Sequence, residues 1–136
     1  MDAKEFIKKL DAALNSGDAK AANELLKKDA QSVAVSLDKA GDRTEIDNFI
    51  VAVSTKLVEF VQPKIQTLEY MVEKKEKDAI NYLIQGNNDA AAKTALSAVK
   101  NRYALKALRY FKAKMNRYIR SPRLVKADEF IEEANA

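Results

Sequence analysis

The sequence predicts an all-α protein, a single helical bundle of about five to six helices with a long basic C-terminal helix and a short acidic final one. Three observations carry this. Glycine occurs 3 times and proline 2 times in 136 residues, too few for the tight turns of a sheet protein. Apolar residues recur at three- and four-residue intervals along most of the chain, the period of amphipathic helices. Each glycine falls where such a pattern pauses, close to an Asp, Asn or Thr able to cap the next helix.

The first helix is marked by Phe6, Ile7, Leu10, Ala13 and Leu14. It stops at Asn15-Ser16-Gly17, and Asp18 offers a side-chain oxygen to the next one. Leu25, Leu26, Ala30, Val33 and Leu37 form the second apolar stripe, which ends at Gly41-Asp42. Asp42 or Thr44 then caps a third helix carrying Ile46, Phe49, Ile50, Val53, Leu57 and Val61. Pro63 lacks a backbone donor and crowds the carbonyl of Glu59, so a kink and a break are both open there.

Beyond Pro63 the pattern resumes with Ile65, Leu68, Met71, Val72, Ala79, Ile80 and Leu83. Residues 73–78 (Glu-Lys-Lys-Glu-Lys-Asp) are charged on every face and are expected to project into water, past the core or at a corner. Gly86-Asn87-Asn88 is the next break. Asn88 or Asp89 caps a long helix running to about Tyr118. Ser121-Pro122 reads as a cap followed by a first-turn proline, opening a short helix with Leu124, Ala127, Phe130 and Ile131 on one side and Asp128, Glu129, Glu132 and Glu133 on the other. The segments around Gly17 and Gly86 resemble one another, which we read as shared turn chemistry rather than a repeat array.

One domain over residues 1–136 is expected: a mildly acidic helical core (1–89), a long basic amphipathic helix (90–120) and a short acidic C-terminal helix (121–136). The absent residues narrow the function. Without cysteine or histidine, thiolate chemistry, imidazole acid–base chemistry and the usual zinc and iron–sulfur ligand sets are excluded. Glu69, Glu73 and Glu76 share a helical face, but carboxylate-bridged metal bundles add histidines. Lys77 follows Glu73 by four residues, as in a surface ion pair. No enzyme activity, cofactor or metal is expected. No apolar stretch approaches the roughly 18 residues of a membrane span; the longest is residues 49–53. Residues 1–10 lack the apolar block of a secretion signal, and a cytoplasmic location is expected.

Charge is the strongest signal. Residues 1–89 hold 13 basic and 16 acidic side chains, residues 90–127 hold 11 basic and no acidic ones, and residues 128–136 hold four acids and no base. At 100° per residue, Ala104, Leu108, Phe111, Met115 and Ile119 form a stripe for the core. Arg102, Lys106, Arg109, Arg117 and Arg120 lie opposite, Lys114 and Arg123 extend the basic surface, and Tyr103 and Tyr110 border it. Like charges at helical spacing cost a few tenths of a kcal/mol per pair, so an anion is expected nearby. The expected function is non-enzymatic binding of nucleic acid, DNA before RNA, through phosphate contacts of low sequence specificity. The alternative is an assembly or adaptor protein, or a viral-type structural or inhibitor protein. It would use the basic helix and acidic tail to dock an acidic partner or a second copy. The chain's own acids are a further candidate counter-charge.

Overall fold

The computed structural model describes residues 1–41 and 43–122. Every regular element among them is helical: α1 (Ala3–Ser16), α2 (Ala19–Glu24), α3 (Ala30–Ala40), α4 (Arg43–Ile84) and α5 (Asn88–Arg120). Residues Leu25–Asp29 form a π turn joining α2 directly to α3, so 19–40 is one rod. Its wider turn brings the adjacent Leu25 and Leu26 both into the core. The described residues therefore make four rods rather than five or six. The short acidic helix of 121–136 and the capping role of Asp42 lie outside the described residues, apart from Ser121 and Pro122.

The corners follow the turn chemistry. Gly17 takes φ 73° and Gly86 φ 77°, a left-handed conformation that glycine alone reaches without strain. At each corner two backbone bonds close the helix. Gly17 N–H donates to Leu14 O and Asp18 N–H to Ala13 O; Gly86 N–H donates to Leu83 O and Asn87 N–H to Tyr82 O. These are paired Schellman bonds. The residue after each glycine caps the next helix: Asp18 accepts from Ala21 N–H and Asn87 from Ala90 N–H. The α5 cap is thus Asn87, one residue before the expected Asn88 or Asp89, because the glycine sets the corner. Likewise α4 begins at Arg43, which leaves Thr44 inside the helix and not at its cap.

Pro63 neither breaks nor ends α4, which runs unbroken through it for 42 residues. The ring sits on an exposed position, and buried Val61 and Ile65 hold the helix on both sides. Thr67 Oγ1 donates to the Pro63 carbonyl at 3.0 Å.

The chain divides into two compact units. One gathers Met1–Phe60 with the end of α5 from Lys114 onward. Phe6, Leu10, Ile50, Val53 and Met115 are almost wholly buried there, and the Phe6 and Phe49 rings meet at 5.5 Å, tilted by 57°. Lys56 Nζ, 3.0 Å from Asp11, ties α4 to α1 at the surface. Arg43 pairs with Asp47 and donates to the Pro122 carbonyl at 2.7 Å.

The other unit, Val61–Ala113, is an antiparallel hairpin of α4 and α5. Its seam follows a strict alternation of four and three residues. On α4 it runs through Val61, Ile65, Leu68, Val72, Lys75, Ala79 and Tyr82, with Gln62, Met71 and Asp78 half-buried beside it; on α5 it runs through Ala91, Thr94, Ala98, Asn101, Leu105, Leu108 and Lys112, with Ser97 and Phe111 half-buried beside it. That is the seven-residue period of a left-handed coiled coil. It corrects three expectations. Ala104 is exposed and Leu105 is buried in its place. The charged run 73–78 does not leave the fold; Lys75 occupies a seam position and donates to Ser97 Oγ at 2.7 Å. Ile80 and Leu83, expected in the core, are exposed, as is Tyr70, because they fall outside the seven-residue seam.

Candidate nucleic-acid interface

α5 is the element on which the cations converge, and seam geometry decides where each points. Between Ala90 and Arg120 the helix carries nine Lys and Arg residues and no acid. Since the seam consumes one side, the remainder divides into a flank facing α4 and an outer ridge.

Arg102 and Arg109, seven residues apart, lie on the flank. Arg109 Nη2 donates to Glu69 Oε1 at 2.9 Å, and Arg102 Nη2 donates to Glu76 Oε1. The chain thus supplies its own counter-charge to two arginines expected to be free. The pairs are half to two-thirds exposed, so each is worth at most about 1 kcal/mol. Lys112 is withdrawn into the seam, where its Nζ donates to Gln62 Oε1.

The outer ridge is different. Tyr103 and Tyr110 are 79% and 65% exposed, so they crown the ridge rather than edge the core. Lys100 lies one turn before Tyr103, Lys93 lies seven residues before Lys100, and both are exposed. Lys106, exposed between the tyrosines, forms no ion pair among the described residues. Lys93 and Lys100 were not singled out as site residues from the sequence. Their signal was the seven-residue spacing between them, with Lys114 two heptads beyond Lys100, and it takes its meaning from the seam. In the other unit, the end of α5 presents exposed Arg117 and Arg120, with Lys114 half-buried. Arg123 lies outside the described residues.

Geometrically the ridge from Lys93 to Tyr110 covers about 25 Å at 1.5 Å per residue. It is an open surface. Ammonium groups on flexible stems and two exposed phenol rings can hold phosphates and stack on planar groups. Among the described residues no helix is long and apolar enough to cross a membrane. The chain matches no protein-family model, curated protein or solved structure.

Proposed function

We propose that the protein binds nucleic acid, without reading its sequence, through the outer ridge of α5. The observation that carries this is the alternation of exposed lysines with two exposed tyrosines on a helix holding no acid from residue 90 to 120. Phosphates supply the anion that the uncompensated cations lack. Tyr103 and Tyr110, about 10.5 Å apart along the axis, offer stacking faces that favour unpaired bases. Arg102, Arg109, Arg117, Arg120 and Lys114 are secondary here. The first two are already engaged by Glu76 and Glu69 and can exchange partners at small cost.

The test is titration of labelled single-stranded and duplex DNA at about 50 and 200 mM salt. Neutralising three to five phosphates makes log K fall with log salt at a slope of about −0.7 per phosphate for single strands and −0.9 for duplex. Lys93→Glu with Lys100→Glu weakens both ligands. Tyr103→Ala with Tyr110→Ala weakens the single strand about tenfold or more per tyrosine and touches the duplex little. Helical circular dichroism stays unchanged in all four single-site components. A flat salt response, or full binding by the lysine pair variant, rejects the reading.

A further inference from the structure

The hairpin face beside the outer ridge follows from the two ion pairs. Glu69 and Glu76 meet Arg109 and Arg102, so these four residues mark one side of the hairpin. Carried on by helical spacing, the α4 edge of that side reads Glu69, Glu73, Glu76, Ile80, Leu83. The α5 edge, at matching levels, reads Arg109, Lys106, Arg102, Val99, Ala95. One edge is acidic and the other basic, and both become aliphatic toward the corner at Gly86. Ile80 is 56% exposed, Leu83 59% and Val99 61%.

We propose that this face joins two copies of the chain, hairpin to hairpin, with their corners at the same end. A two-fold axis parallel to the helices sets α4 of each copy against α5 of the other. Every acidic level then meets a basic one, and aliphatic ends meet aliphatic ends. Glu73 and Lys106 share a level and become partners between copies; within one copy, among the described residues, Glu73 pairs with its neighbour Lys77, at 3.2 Å. A foreign acidic helix would satisfy the basic edge but oppose Glu69, Glu73 and Glu76. A foreign basic helix fails on the other edge. A second copy matches both, as a self-complementary surface must.

The area suffices. The three aliphatic side chains expose on the order of 300 Å² per copy, within the range of the largest patch on a monomer. Burying them on both copies removes roughly 600 Å², and the charged edges bring the total to the 1,000 Å² or so that a specific interface needs. The four-helix arrangement that results buries what the hairpin alone leaves wet. The outer ridge adjoins this face and shares Lys106 with it, while Tyr103, Tyr110, Lys93 and Lys100 lie off it, so the pairing can be tested apart from nucleic-acid binding.

Sedimentation equilibrium of the full chain, from micromolar to about 0.5 mM and without nucleic acid, tests this. The expected result is a reversible dimer. Leu83→Lys weakens it at least about a hundredfold, as apolar area is lost twice per dimer, while the helical signal persists because the residue is exposed. Glu73→Lys and Lys106→Glu each set like charges together at two places and weaken dimerisation roughly tenfold. An equimolar mixture of these two variants restores it, since each copy then meets its complement. A monomer at every concentration overturns the proposal and leaves the face to another occupant. A dimer indifferent to Leu83→Lys, or a mixture no tighter than its components, overturns it equally.

Discussion

Lys56 shows how a single side chain joins elements distant in sequence. Its ammonium lies 3.0 Å from Asp11 on α1 and 3.8 Å from Glu59 on its own helix. The hydrogen bond to Asp11 and then that residue's charge raise the lysine pKa above its ordinary 10.5, against an opposing effect of desolvation, with Glu59 adding a lesser upward push. A raised folded-state pKa means that the folded chain holds the proton more tightly than the unfolded one. The pair's contribution is therefore fully present below about pH 10.5 and is lost as pH climbs through the folded value. Thermal unfolding of Lys56→Met against the parent chain checks this. The gap between their midpoints should be constant from neutral pH to about pH 10 and should close above it. A gap that widens at high pH would show that the lysine's packing, and not its charge, makes the link.

At the scale of elements, α4 presents a proline at the interior of a 42-residue helix. An interior proline costs about 3 kcal/mol through its missing donor and its clash with the carbonyl four residues back. Pro63→Ala should therefore stabilise the chain by about 1–3 kcal/mol in urea unfolding, with unchanged slope, and any loss of stability would show that the packing around Val61 and Ile65 needs the proline ring. The sequence announced the proline but not its outcome, because that depends on buried anchors on both sides. It announced the corners well: Gly17 with Asp18 is read off directly, and Gly86 to within one residue of its cap, since capping is local chemistry. The core stripe through Ile46, Phe49, Ile50, Val53, Leu57 and Val61 was equally legible. The seam of the hairpin was not. Lys75, Thr94, Asn101 and Lys112 occupy positions that an apolar pattern should fill, so the seven-residue period was hidden and Ala104 displaced Leu105. The pairs Glu69–Arg109 and Glu76–Arg102 were hidden for the same reason, as only the register of the seam sets them level.

At the scale of the whole molecule, the two units are built from different materials, and their stabilities should differ accordingly. The unit around α1 to α3 buries aromatic and branched side chains almost completely, Phe6, Leu10, Ile50 and Val53 among them. Its one buried polar side chain among the described residues is Ser54. The hairpin buries Val61, Ile65, Val72 and Leu105, but its other buried residues are Ala79, Ala91 and Ala98. It also shields the polar side chains of Lys75, Asn101 and Lys112. Each alanine contributes far less than a leucine's roughly 1.5–3 kcal/mol of burial. Opening of the hairpin is then the lower-energy event. Native-state amide exchange should show residues in the middle of Val61–Ile84 and of Asn88–Ala113 exchanging faster than those near Phe6, Ile50 and Val53. Pairing of hairpins adds a concentration dependence, because a partner that binds only the closed form stabilises it by mass action. Raising the protein from about 10 µM to 1 mM should slow exchange in the hairpin while leaving the α1–α3 unit unchanged. Uniform protection across both units at every concentration would contradict the ranking, and slower exchange in both together would mean that the chain opens as one cooperative body.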